Sequence, residues 1–221
     1  MRTERYINPD SDGRFYSLNS MVKTDCHDCE GCSACCVGMG TSIFLEPYDL
    51  FLLQKKGEMD LDRLLAEHYI ELGVRDGIIE PHIRMTQDTD CCPFLNAQGM
   101  CSIHAFRPGI CRLFPMGRNY DEDGISYIML KSACPKKNRT KIRLDKWLGV
   151  EKPQEYEQYV LAWHDLRKSL SGFLKEADEK QAGELNLYLL RTFFTTKAQT
   201  AELFYAEFYE KLERVKKAFG L

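Results

Sequence analysis

Eleven consecutive residues, CHDCEGCSACC from Cys26 to Cys36, carry five cysteines. Thiols at that density admit few fates: stapling into disulfides, loading with metal, or service as a nucleophile. The remaining five lie at Cys91, Cys92, Cys101, Cys111 and Cys134. A buried free cysteine is a small hydrophobe, and a core would spread such residues along its elements. Two-residue gaps instead let neighbouring sulfurs converge on one ion. Thiolate is the ligand that selects zinc, copper(I) and iron–sulfur clusters. The spacing therefore predicts a metal-ligating constellation.

The rest of the composition narrows the setting. A chain of 221 residues, 44% hydrophobic and 29% charged, can build a core without staples. A net charge of -3 predicts no bulk attraction to nucleic acid or to anionic lipid. The opening MRTERYINPDSDGRFY has no continuous apolar segment of the kind a secretory leader needs, and no apolar run approaches bilayer length. The expectation is a cytoplasmic protein with no membrane and no specific nucleic-acid partner. Thiols stay reduced there, so disulfides are a poor account of ten cysteines.

The two adjacent pairs, Cys35–Cys36 and Cys91–Cys92, bear on the number of sites. Side chains at i and i+1 diverge both in extended chain and in a helix. Cys35 and Cys36 are thus expected to serve two neighbouring sites or a large cluster better than one ion. Eight thiolates around two dications leave roughly four negative charges uncompensated. Arg107, Arg112, Lys131, Lys136 and Lys137 stand near the second cysteine group, and some of them are expected to compensate that charge. Cys26, Cys29, Cys32 and Cys36 match the gaps of the bacterial ferredoxin run, but Val37 stands where that run has Pro.

Cys29-x-x-Cys32-x-x-Cys35-Cys36 is followed by SIFLEPYDL from Ser42, then Cys92-Pro-Phe-Leu, Cys101-Ser-Ile-His-Ala-Phe-Arg-Pro and Cys111-Arg-Leu-Phe-Pro. Over roughly residues 26 to 135 the chain resembles the CxxCxxCC cysteine-cluster family, whose members are described as zinc- or iron-chelating and often labelled iron–sulfur oxidoreductases. The resemblance implies Cys29, Cys32, Cys35, Cys36, Cys92, Cys101 and Cys111 as ligands, with Cys134 as an eighth. Cys26 and Cys91 look like extras. His104 stands where the family pattern usually has Tyr; it reads as a surface or packing residue, with a nitrogen ligand left open. The cysteine motif is also similar to that of flagellin lysine methylases, which adds a modifying-enzyme scaffold to the functions the resemblance implies.

Pro93, Gly99, Pro108, Gly109 and Pro115 break the second cysteine segment into turns able to wrap an inorganic centre. Phe94, Leu95, Ile103, Phe106, Ile110, Leu113 and Phe114 would line it. Elsewhere, Pro47 to Lys56 reads as a helix ended by Gly57, and Asp60 to Leu72 as a second helix. IIEPHIRMT from Ile78 and ISYIMLK from Ile125 read as strands, expected to pair with each other beside the metal centre. The basic run from Lys136 to Arg143 reads as a solvated loop. From Gln154, three apolar stripes (Tyr156 to Ala177, Leu185 to Phe194, Phe204 to Phe219) predict three helices whose aromatics form packed core.

The expected fold is mainly α with a small β element, a loop-rich cysteine module packed against C-terminal helices. Its parts are an N-terminal extension (1–25), a cysteine-cluster metal-binding domain (26–150) and a helical region (151–221). The expected function is that of a cysteine-ligated metalloprotein holding one or more iron–sulfur clusters, possible type 4Fe–4S, in a redox or redox-supporting role. The alternatives are a zinc-binding structural or interaction protein and a methylase-like scaffold. The expected partner is a redox or other protein of unknown identity, and the expected state a monomer or homodimer. No phosphate loop, no HExxH helix and no thiol with a fixed His partner singles out a catalytic residue.

Overall fold

A computed structural model describes residues 7–25 and 32–221. Its elements run β1 (Met21–Asp25), α1 (Pro47–Gly57), α2 (Leu61–Ala66), β2 (Ile70–Arg75), β3 (Ile78–Ile83), α3 (Gly109–Leu113), β4 (Met116–Asp121), β5 (Gly124–Met129), β6 (Thr140–Arg143), α4 (Leu144–Leu148), α5 (Pro153–Glu176), α6 (Glu179–Phe193) and α7 (Ala201–Phe219). Single 3₁₀ turns stand at Ala34–Cys36 and His104–Phe106.

The expected mainly-α character needs correction. The structure is 44% helical and 20% strand, a mixed architecture. The strands form three separate antiparallel pairs, β1 with β6, β2 with β3, and β4 with β5. The two strands expected to pair with each other, β3 and β5, therefore lie in different hairpins. Each found a nearer partner in sequence. β3 follows β2 through the turn at Asp76 and Gly77, both at positive φ, and β5 follows β4 through a turn ending at Gly124. Short loops close at far smaller entropic cost than the long connection the other pairing needs.

The helix expected over 60–72 is also shorter. α2 stops at Ala66, His68 takes a positive φ, and Leu72 lies in β2 opposite Pro81. Ile70, Leu72 and Val74 alternate along β2, a period-2 signal hidden by the leucine spacing before it. The basic run was expected as a loop, but its end, 140–143, is β6 on β1. This pairing and the bridges Ser11↔Leu130 and Tyr16↔Tyr127 hold residues 11–25 against β5 and β6.

The three C-terminal stripes form α5, α6 and α7 and share one core with α1. Tyr48 of α1 packs against Tyr156 at 5.3 Å and Phe204 at 5.2 Å between ring centroids. Its backbone N–H, one of the unpaired donors of a helix start, donates to the Tyr159 hydroxyl at 3.0 Å. One apolar cluster thus runs from Ile43 through Phe94 and Ile103 to Trp163, Phe193 and Phe208. A second, smaller cluster joins Leu18 and Val22 to Leu113, Met116, Tyr127 and Trp147. Cys92 belongs to the first cluster, and Cys36, Cys101 and Cys111 pack against it. Among the described residues no helix is long and apolar enough to cross a membrane.

Candidate metal centre

Backbone hydrogen bonds close the two cysteine segments onto each other. Cys92 N–H donates to Cys36 C=O at 2.7 Å, and Gly38 N–H to Asp90 C=O at 2.8 Å. A second loop folds on Phe94, whose carbonyl accepts from Ser102 N–H at 2.8 Å, and the bridge Leu95↔Cys101 sets Cys101 beside Cys92. The third segment is α3, which carries Cys111. Its first N–H, on Gly109, donates to the buried Asp49 carboxylate at 2.8 Å. The same carboxylate accepts the Glu46 N–H at 2.8 Å in the capping box of α1. One carboxylate therefore fixes the Cys111 turn to the helix that anchors the core.

These segments enclose a cavity of about 590 Å³, and Cys32, Cys35, Cys36, Cys92, Cys101 and Cys111 all line it. His104 and Arg107 complete its polar wall, with their side chains in contact. Cys134 lies elsewhere, on a small cleft of about 20 Å³ whose walls include Cys32 and Cys35. Cys91 has its thiol against the Thr89 carbonyl at 3.3 Å and does not line the cavity. Adjacent residues of an extended segment point to opposite sides, so Cys92 faces in and Cys91 out. Cys26 and Cys29 lie outside the described residues. Among those described, no three Cys, His, Asp or Glu side chains converge into a ready-made ion site.

Cys35 and Cys36 depart from the expected divergence. The tight 3₁₀ turn brings their sulfurs to 4.0 Å. Two thiolates on one tetrahedral ion, each about 2.3 Å from it, stand ~3.8 Å apart. The pair shares a proton in the metal-free chain. The hydrogen bond from Cys36 pulls the Cys35 thiol down to about 6, while the same bond pushes Cys36 up. Burial raises Cys92 to about 11 and also raises Cys101 and Cys111. In metal-free protein, peptide mapping after iodoacetamide treatment is expected to show Cys35 alkylating with a midpoint near pH 6 and Cys92 near pH 11. A Cys35 midpoint at the 9.0 of an ordinary thiol would remove the shared-proton account.

Two arginines are buried near the cysteines: Arg107 lines the thiol cavity, and Arg112 follows Cys111 in α3 but lies outside that lining. Arg112, 6% exposed, donates to the carbonyls of Ala105 at 2.9 Å and of Leu148 and Gly149 at 3.4 Å. Arg107, 8% exposed, lies over the Trp147 ring. Among the described residues neither makes an ion pair with a carboxylate, and the Nε of each lacks an acceptor. Buried cations need a counter-charge; Arg107 acts on the Cys35 and Cys101 thiols, whereas Arg112 feels the Asp49 carboxyl. Of the lysines expected in that role, Lys131 and Lys137 are exposed and Lys136 lines the Cys134 cleft. Asp49 was not among the sequence candidates. Its signal was its place three residues after Glu46 at the start of a helix opened by Pro47.

Thiols gathered from three segments around one cavity, with a buried cation in its wall, define a cysteine-cluster metal-chelating domain. The match to a family description, "Putative zinc- or iron-chelating domain", runs over residues 28–139, half the chain. This chain belongs to that family, CxxCxxCC. No curated protein and no solved structure matches it.

Proposed function

We propose that the chain is a cytoplasmic iron–sulfur protein with a redox or redox-supporting role toward a protein partner. The observation that supports the reading is the pairing of six thiols on one cavity with Arg107, buried in the same wall and without a carboxylate ion pair among the described residues. A single four-thiolate ion does not need so many sulfurs. In this reading Cys32, Cys35, Cys36, Cys92, Cys101 and Cys111 hold the metal from the cavity walls, and Cys29 and Cys134 complete the set. A bound cluster supplies reversible one-electron chemistry. The protein's own part is to exclude water with Ile83, Ile103 and Phe114 and to lower the cost of the reduced, more negative state with Arg107.

A second reading, a closed zinc site in a structural or interaction protein, draws on the 4.0 Å separation of the Cys35 and Cys36 sulfurs, which suits two ligands of one tetrahedral ion. Metal and acid-labile sulfide analysis of protein purified without oxygen separates the two. Iron with matching sulfide and a visible band bleached by dithionite is the expected result. Stoichiometric zinc in a colourless protein would overturn it in favour of the second reading.

A further inference from the structure

A second cavity, of about 460 Å³, shares Cys35, Cys111 and Phe114 with the thiol cavity. One of its sides is a face of β4, where Met116, Arg118 and Tyr120 recur at a period of two. Another is a stripe of α5, where Val160, Trp163, His164 and Arg167 recur at helical spacing. The volume falls in the range of small-molecule sites, and apolar side chains make up most of the lining. Phe44, Phe114 and the thioethers of Met39 and Met116 are surfaces that aromatic rings pack on well.

The enclosed charges around this cavity cancel in pairs. Arg118 is paired with Glu46, and Arg167 lies 2.9 Å from fully buried Glu80. Two charged groups remain, and they are opposite in sign: Arg75, open to screening water, and the Cys35 thiolate. Tyr120 lies flat on His164, ring centroids 3.7 Å apart, and burial favours the uncharged form of each. An ionic ligand would therefore lose its water here and gain no counter-charge. One polar group is left over. Trp163, 2% exposed, is part of the lining, and its indole N–H has no acceptor among the described residues. A buried donor without an acceptor is costly, and a ligand that brings one removes the cost.

We propose that this second cavity binds a small, uncharged aromatic carbonyl compound, its rings among Phe44, Met116 and Leu113 and its carbonyl oxygen on the Trp163 indole N–H, beside the cysteine centre. The apolar walls select a ring body of matching size, the cancelled charges exclude ions, and the single unused donor selects an acceptor. The inference goes beyond the metal reading and holds for iron and zinc alike.

The test uses the full chain as purified, in equilibrium dialysis against three probes. These are benzophenone, 4-benzoylbenzoate, which adds an acid, and diphenylmethane, which has CH₂ in place of the carbonyl. Benzophenone is expected to saturate a single site per chain, and benzoylbenzoate to bind at least about tenfold more weakly. Near-ultraviolet light makes the bound ketone insert into neighbouring C–H bonds, and peptide mapping is expected to find the adducts on Met39, Leu113 or Met116. Trp163→Phe keeps an aromatic ring and removes the donor. It is expected to weaken benzophenone about fivefold or more and diphenylmethane by less than about twofold. Trp163 also packs on Phe193, ring centroids 5.0 Å apart, and a general loosening of the core would weaken both compounds alike. Photolabelling of the unaltered chain decides the location even where the variant does not fold. The proposal would be overturned by any of four results: no saturable benzophenone site, benzoylbenzoate bound as tightly as benzophenone, adducts confined to peptides outside the cavity, or equal weakening of both neutral compounds in folded Trp163→Phe.

Discussion

Cys35→Ser is expected to leave the purified protein with less than about a tenth of its metal and to lower its melting temperature by roughly 10 °C. Cys35 borders both the large cavity and the small cleft with Cys134, and its sulfur is the one poised as thiolate. Serine keeps the shape but puts a hard hydroxyl where zinc and iron–sulfur clusters select a soft thiolate, so the ligand is much weakened. A preformed site does not exist in the unfolded chain, so the metal's binding energy is also folding energy. Cys91→Ser is the matched control. Its thiol rests on the Thr89 carbonyl, away from the cavity, and full metal content is expected there. Metal analysis and thermal melts of the two variants check both statements. A Cys35→Ser protein with full metal and unchanged melting would sink the ligand assignment.

Asp49→Ala should cost about 2–4 kcal/mol of stability and loosen the Cys111 turn, because it leaves two backbone donors, on Glu46 and Gly109, without acceptors. Urea unfolding of the variant measures the loss. Limited proteolysis near Gly109 locates it, and an unchanged midpoint would show that the carboxylate is dispensable. The same residue has a pH signature of definite sign. Burial raises its carboxyl from 3.8 to about 7, with the Glu46 charge adding to the effect. The folded state then holds this proton more tightly than the unfolded chain does. Its contribution is most favourable below pH 4 and is lost as pH rises through about 7. Asp49→Asn is expected to flatten the stability profile between those limits. A profile parallel to that of the unaltered protein would argue that Asp49 titrates normally.

The residues that announced the metal site did so through spacing alone. Cys32, Cys35, Cys36, Cys92, Cys101 and Cys111 are far apart in the chain as two groups, yet all six meet at one cavity. The three C-terminal helices were equally legible, because long amphipathic stripes repeat over many turns. The hairpins were less so. MGRNYD of β4 contains no β-branched residue, and its strand state depends on β5 beside it. The second cavity left no trace in the linear pattern, since its arginines come from β2, β4 and α5 and mean nothing until those elements pack.

The sequence by itself therefore determined which atoms are available for chemistry: a dense set of thiols, a family membership and three helical faces. The tertiary structure decided how those atoms are used. It turned Cys92 inward and Cys91 outward, drew the Cys35 and Cys36 sulfurs together, and buried Arg107 in the wall of the thiol cavity. The physical reason is that ligand identity is a property of single residues, whereas direction, burial and charge balance are properties of the contacts between segments distant in the chain.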